Sequence, residues 1–195
     1  LELKIQDVIL PIEAGESLLA ISKFVDDLLS KVYGLKPFYN CRSRGDLIGH
    51  LIVGLAPHTS VGVLGRVIGY TQSQVCLAHP YWHSSKRRDC DGDEDSIMLL
   101  MDVLLNFSKD YLPTQIGGLM DAPLLLQALI LPKELQRQVH NLDVTSIYPI
   151  AFYEATLRND SPQTLAGIIE IVRDRLQDER QFYGIGFTLS LIHIS

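Results

Sequence analysis

The first strong pattern along the chain is a helical repeat of apolar positions between Glu13 and Tyr33. Apolar residues recur there every three or four positions, with charged residues between them, as on one face of an α-helix. Gly34 follows at a position where glycine commonly ends a helix. The pattern therefore predicts an amphipathic helix, whose apolar face comprises Leu18, Ile21, Val25, Leu28 and Val32.

Between Gly54 and Tyr70, glycines interrupt short runs of Val, Leu and Ile. The spacing of these glycines matches neither a dinucleotide-binding motif nor a P-loop with its Lys-Ser/Thr ending. β-branched runs broken by glycine are typical of tightly bent strands, such as those at the corners of a barrel. We therefore predict strands in this segment, bent near Gly54, Gly62, Gly65 and Gly69.

Three later segments also have clear apolar patterns. Ser96–Phe107 is apolar nearly all round, which predicts a buried helix. Leu124–Leu131 predicts a buried strand. The pair Ser161–Pro162 suits the N-cap and first position of a helix. The apolar face of that predicted helix comprises Leu165, Ile168, Ile169, Val172 and Leu176.

Composition limits the classes of protein that fit. Of 195 residues, 47% are hydrophobic and 21% are charged, which is usual for a globular domain and excludes a disordered chain. The net charge of −6 predicts no general nucleic-acid-binding surface. No apolar run approaches the roughly 18 residues of a membrane span. The cysteines are odd in number and without a Cys-x-x-Cys pair, so we expect no disulfide framework, no zinc knuckle and a cytoplasmic location.

The two ends of the chain lead us to expect a fragment. Leu1 is not an initiator methionine, and the pattern begins abruptly. Residues 189–195 read as a non-native tail, and we leave them out of the fold prediction.

Residues Lys86–Asp95 carry the densest charge pattern, a cationic triplet followed by aspartates at alternate positions. In an extended segment or open loop, alternate side chains share one side, so Asp89, Asp91 and Asp93 can converge. Two carboxylates about 4 Å apart repel by roughly 4 kcal/mol at an effective dielectric near 20. Three together need a compensating cation, and their oxygens select Mg²⁺, Mn²⁺ or Ca²⁺. A solvated acidic loop is the alternative interpretation.

The charged neighbours of these aspartates have their own predicted roles. The triplet Lys86, Arg87 and Arg88 is expected either to contact a DNA backbone or a triphosphate, or to neutralise the aspartates. Glu94 and Asp95 are assigned to the N-terminal end of the predicted helix, where negative charge is favourable.

His79 and His83 are four residues apart, which on a helix would suggest a zinc site. Pro80 lies between them and argues against a helix, and a pair of histidines lacks a third ligand. We therefore predict no zinc in this segment. The expected structure is a loop that supports the acidic site, with His83 as a contact to phosphate or water.

The run Asp89–Asp93 resembles the Asp-x-Asp-Gly-Asp metal loop of multisubunit RNA polymerases, which lies on a double-psi β-barrel. A wider resemblance, up to Thr188, is to the large subunit of the archaeal D-family DNA polymerase, which has the same barrel. The segments that carry this resemblance are Pro37–Asn40, Asp46–His50, Gly54–Ser60, Ala78–Tyr81, Lys86–Asp95, Leu104–Ser108, Met120–Pro123 and Phe152–Thr156.

The resemblance implies an α+β fold, a double-psi β-barrel with flanking helices. The expected organisation is a helical flank over 1–34 and a catalytic barrel region over 35–131, with the buried helix 96–108 inserted. A helical C-terminal flank over 132–188 follows. A second barrel with catalytic lysines, and the family's zinc modules, would lie outside this chain.

The resemblance also implies a DNA-directed DNA polymerase that transfers a nucleotide from a dNTP to a primer 3′-hydroxyl. The family has catalytic carboxylates at the positions of Asp91 and Asp93 and often has Asn at that of Asp89. All three are predicted ligands of Mg²⁺, or of Mn²⁺, in two-metal chemistry. The implied partners are primer–template DNA, the dNTP and a small subunit with a 3′–5′ exonuclease; a membrane is not among them.

Two other interpretations of the acidic run are open. The first is an EF-hand-like calcium loop starting at Asp91, although its sixth position is Ser96 where glycine is needed. The second is a metal-dependent nuclease, which uses the same metal chemistry with water as the nucleophile.

Overall fold

The computed structural model describes residues 3–57, 59–86, 94–111, 125–137, 139–145 and 147–184. The chain divides between Ile130 and Leu131 into two compact units. The first combines a mixed β-sheet with helices and the second consists largely of short helices, which confirms the predicted α+β class. In the part of the chain that the structure describes, no helix is both long enough and apolar enough to cross a bilayer.

One mixed sheet organises the first unit. Its strands are β1 (Asp7–Pro11), β2 (Leu51–Leu55), β3 (Val61–Thr71), β4 (Leu77–Ala78), β5 (Ser96–Leu99) and β6 (Leu125–Gln127). Their order is β4-β1-β3-β2-β5, and β6 also pairs with β3. Strand β3 pairs in parallel with β1 and β6 and antiparallel with β2. Because β3 pairs with three strands at different points along its length, it connects most of the sheet and is the central strand of this unit.

The glycine-punctuated segment forms β2 and β3, as predicted. The register of β1 against β3 shifts between Val8 and Ile9, which pair with Val67 and Gly69. Such a bulge bends a strand at a glycine. Strand β6 covers only part of the predicted strand Leu124–Leu131. The fully or almost fully buried residues around this sheet include Val8, Leu10, Leu47, Ile52, Val53, Val63 and Val67.

Helix α1 (Ile12–Lys31) follows β1 directly and confirms the predicted helix, but its buried side differs from the predicted one. Ile21 and Val32 are 46% and 68% exposed. The ring of Tyr70 occupies the space that a Cβ at Gly15 would need, so the helix turns its glycine side toward β3. The buried residues of α1 are Gly15, Leu18, Leu19 and Ser22.

The chain leaves α1 through a hydrogen-bonded turn. Gly34 has φ of +65°, a left-handed conformation that favours glycine, and the Leu35 N–H donates to the Leu29 carbonyl at 2.9 Å. The carboxylate of Asp26 then accepts three successive backbone N–H bonds, at 2.7, 2.8 and 2.7 Å, from Phe38, Tyr39 and Asn40.

The prediction of a buried helix over Ser96–Phe107 is wrong. Strand β5 covers its first residues and pairs antiparallel with β2, and α3 (Asp102–Tyr111) begins only afterwards. In α3, Val103 and Phe107 are 58% and 50% exposed. A short apolar run is compatible with either a strand or a helix. Here the run forms a strand because its backbone hydrogen-bonds to the edge of β2. The expected insertion 96–108 is therefore not one helix.

The second unit contains α4 (Ile150–Leu157), α5 (Val172–Arg175) and several 3₁₀ turns. The single helix predicted to start at Ser161–Pro162 is wrong. Pro162–Leu165 forms one 3₁₀ turn, and Gly167 then has φ of +83°, which ends any helix. The buried residues of this unit include Val139, Val144, Ala155, Val172 and Leu176.

Candidate active site

The structure describes both ends of the acidic segment, Lys86–Asp95, but not its middle. Lys86 directly follows α2 (Pro80–Ser85), and Glu94 and Asp95 directly precede β5. The predicted ligands Asp89, Asp91 and Asp93 and the predicted contacts Arg87 and Arg88 lie outside the described residues. The described geometry is therefore that of the two ends of the segment, Lys86 on one side and Glu94 and Asp95 on the other. We call these two ends the base of the segment.

Helix α2 begins at Pro80, so the expectation that this proline excludes a helix is wrong. Proline lacks only an N–H that the first helical position does not use. His79 is the N-cap, and its Nδ1 accepts the Tyr81 N–H at 3.1 Å. The chain before the acidic segment is thus a capped helical turn and not the expected loop.

Both histidines of this turn are kept neutral by their surroundings. Burial, with a smaller contribution from the neighbouring His83, lowers the pKa of His79 to about 4. Burial also lowers the pKa of His83 to about 4, with a second contribution from the Lys86 cation. A neutral His83 offers a phosphate no charge, so any contact it makes is a hydrogen bond.

A metal site on these histidines has no support in the described part of the chain. Within the ranges given above, no group of three or more His, Cys, Asp or Glu side chains is placed to hold an ion. Burial raises the pKa of the nearby Cys76 thiol to about 11, against an opposite effect of Lys86. This thiol is therefore protonated at neutral pH and unsuited to bind metal as a thiolate.

Trp82 fills the space between α2 and the sheet. It is fully buried, and its indole N–H donates to the Leu64 carbonyl at 3.2 Å. Two glycines make room for the ring. A Cβ on Gly54 would lie 2.6 Å from Trp82 Cη2, and one on Gly65 would lie 3.0 Å from its Nε1. The glycine pattern of β2 and β3 therefore serves the packing of one tryptophan.

Lys86 lies buried against this tryptophan and close to Gly54. Its side chain is 0% exposed, and its ammonium is 3.8 Å from the centre of the Trp82 ring, a cation–π contact. It also forms an ion pair with Asp95, whose side chain is 16% exposed. Of the two roles expected for Lys86, neutralising a carboxylate fits this position, whereas a solvent-facing contact to DNA does not.

The ion pair joins the two ends of the acidic segment. Lys86 Cδ lies 3.0 Å from the position of a Cβ on Gly54, and Ser96, the residue after Asp95, pairs with Leu55. Both ends therefore meet at adjacent residues of β2. Sequence reasoning missed this pair because it assigned Asp95 to a helix, and no local pattern links residues nine positions apart.

The strand position of Ser96 also bears on the calcium-loop interpretation. Ser96–Leu99 hydrogen-bonds along β2 over four residue pairs. In an EF-hand starting at Asp91 the same residues would belong to the calcium-binding loop, which leads into a helix. This pairing argues against a calcium module.

Comparison with known proteins gives the family. The catalytic domain of DNA polymerase II large subunit DP2 matches residues 1–195. Three relatives are DNA polymerase II large subunits, each aligned with 96% of this chain. Their sequence identity to it is 58% for the protein of Pyrococcus furiosus, 56% for that of Archaeoglobus fulgidus and 54% for that of Cenarchaeum symbiosum. The chain spans 15%, 16% and 17% of the lengths of these relatives. It belongs to the family of the DNA polymerase II large subunit catalytic domain, that of the archaeal D-family polymerase.

Proposed function

We propose that this chain is the carboxylate-bearing part of a DNA-directed DNA polymerase, which adds nucleotides from dNTPs to a primer 3′-hydroxyl. The observation that carries the proposal is the base of the acidic segment. Its ends, Lys86 and Asp95, are joined by a buried ion pair on a tightly packed tryptophan. The names of the relatives, DNA polymerase II large subunit, support the same activity.

The residues proposed to carry the chemistry are Asp91 and Asp93, with Asp89 as a third ligand. Their oxygens are the donors that Mg²⁺ and Mn²⁺ prefer, whereas the ammonium of Lys86 has no lone pair with which to bind a metal. Bound Mg²⁺ would supply positive charge to the reacting hydroxyl and the leaving phosphate oxygens. No zinc is expected in this chain.

The proposed cations for phosphate binding are Arg87 and Arg88. Since the ammonium of Lys86 is buried, these two arginines are the members of the triplet that remain for contacts to primer–template DNA or to the dNTP. Such contacts position nucleic acid without reading its sequence. Loss of either arginine should weaken DNA or dNTP binding.

We also propose that the sheet of the first unit is part of a double-psi β-barrel. This is supported by β3, which pairs with three different strands along its length, and by its glycines. A small subunit with a 3′–5′ exonuclease is the proposed protein partner, giving a heterodimer. The cytoplasmic location stays a prediction.

The test uses the complete polymerase that contains this chain, with Asp91→Asn and Asp93→Asn as separate variants. Each should reduce primer extension by about 10²–10³-fold, the usual cost of losing one preorganised electrostatic group, because the neutral amide removes a negative charge from the metal site. Asp27→Asn is the matched control, since Asp27 forms an exposed ion pair with Lys31 at 2.7 Å and should extend primers normally. Normal extension by either active-site variant would remove that residue from the proposed site.

A further inference from the structure

The feature that carries a further inference is the buried pair of Lys86 and Asp95. We propose that these two residues are positioning residues for nucleotidyl transfer. Their ion pair would fix the ends of the acidic segment, so that Asp91 and Asp93 are held in one arrangement suited to metal binding. The proposal rests on the function proposed above and assigns Lys86 a role other than contact with nucleic acid.

Each end of the acidic segment is fixed to the same strand, β2. Lys86 lies against Gly54, and its backbone N–H donates to the His83 carbonyl at 3.1 Å at the end of α2. Asp95 is followed by Ser96, which pairs with Leu55 of β2. A loop whose two ends are fixed at neighbouring points has fewer accessible conformations than one whose ends move independently. Carboxylates on such a loop are pre-organised for a common ligand.

Stability alone accounts poorly for the buried pair of Lys86 and Asp95. A buried ion pair must be removed from water, and an apolar pair of similar size is often equally stable or more so. A lysine whose side chain is 0% exposed also loses nearly all its rotamer freedom. The same chain contains an exposed Lys31–Asp27 pair, where these costs are small. A role in positioning the carboxylates between Lys86 and Asp95 therefore explains this charged pair better than stability does.

The Lys86 ammonium faces the Trp82 ring and the Asp95 carboxylate, and its side chain is fully shielded from solvent. It therefore cannot release counterions from a DNA phosphate. If Lys86 acts by positioning, its loss should lower metal affinity and turnover while leaving the salt dependence of DNA binding unchanged.

The test compares Lys86→Met, Asp95→Asn and the double variant Lys86→Met/Asp95→Asn in the complete polymerase, with Lys31→Met as the control. Four quantities are measured: Mn²⁺ affinity by electron paramagnetic resonance, kcat and KM for dNTP, the melting temperature, and DNA affinity against salt concentration. Each single change removes one charge of the buried pair, so a loss of melting temperature is expected from either. The double variant removes both charges and should regain most of it.

The Mn²⁺ affinity and kcat of the double variant give the decisive result. For positioning, its Mn²⁺ affinity stays about 10-fold or more below that of the unmodified protein, as for other groups that orient metal ligands. Its kcat stays low by up to about 10²-fold, the cost of misplaced groups, while KM for dNTP changes little. Lys31→Met should leave all four quantities unchanged.

Two results would overturn the positioning role. One is a stable double variant with unmodified Mn²⁺ affinity and kcat, or the same result for Asp95→Asn if the double variant does not fold. The other is a shallower salt dependence of DNA binding in Lys86→Met, which would make Lys86 a phosphate contact. Failure of the proposed function is distinct, because the unmodified protein would then bind Mn²⁺ no better than Asp91→Asn does.

Discussion

Replacing Gly54 by alanine tests the packing that supports the candidate site. The new Cβ would lie 2.6 Å from Trp82 Cη2 and Cζ2 and 3.0 Å from Lys86 Cδ. Trp82 and the Lys86 side chain are each 0% exposed, so neither can move into solvent without leaving its partners. Overpacking of this kind costs about 1–3 kcal/mol. Contacts of 2.6 Å place this site in the upper half of that range, about 2–3 kcal/mol. The reduced freedom of the unfolded chain returns about 0.4–1 kcal/mol, which leaves a net loss of about 1–2.5 kcal/mol.

The matched control is Gly69→Ala in β3. Nothing lies within 4 Å of a Cβ at Gly69, so we expect its free energy of unfolding to change by less than about 1 kcal/mol. Trp82 is the only tryptophan of the chain, so its fluorescence reports on this packing during urea unfolding. With a urea dependence of about 2 kcal/mol per molar, Gly54→Ala should unfold about 0.5–1.25 M earlier. Equal midpoints for the two variants would refute the proposed packing of Gly54 against Trp82.

Two further predictions concern pH and the turn after α1. Burial lowers the pKa of His79 and His83 from 6.5 to about 4. Between these two pH values the unfolded chain binds more protons than the folded protein, so the free energy of unfolding should fall as the pH drops from about 6.5 toward 4. For His79 the loss should reach up to about 3 kcal/mol. Urea midpoints at pH 7 and 5 measure this loss, and equal midpoints would contradict the neutral state of both histidines. Asp26→Ala removes the acceptor of three backbone N–H bonds and should cost about 2 kcal/mol or more, whereas Asp27→Ala should cost less than about 1 kcal/mol. Thermal unfolding of the two variants compares them, and equal melting temperatures would show that the Asp26 bonds add little.

Local patterns predicted the elements whose side chains alternate or recur regularly. The period of α1 was clear from its sequence, and so was the strand character of the segment around Gly62 and Gly65. The buried face of α1 was predicted only in part, because the contact between Gly15 and Tyr70 depends on where β3 lies. Side-chain periodicity specifies an element but not the neighbour against which it packs.

The errors arose where tertiary contacts override a local preference. Ser96–Leu99 has a run of apolar residues that suits a helix, but β2 offers it a hydrogen-bonding edge. Because Asp95 was assigned to the start of that helix, its ion pair with Lys86 could not be predicted. Pro80 was interpreted as a helix breaker when it is the first residue of a helix capped by His79. The acidic run itself needed no tertiary information, since the spacing of its aspartates is visible in the sequence.

The most direct measurement is diffraction from crystals of the complete polymerase soaked in Mn²⁺, with anomalous scattering used to locate the ion. We expect a peak about 2.0–2.2 Å from carboxylate oxygens of Asp91 and Asp93, next to the buried pair of Lys86 and Asp95. Carboxylates of Asp91 and Asp93 that point apart into solvent, without Mn²⁺ between them in a crystal that binds the ion elsewhere, would contradict this expectation.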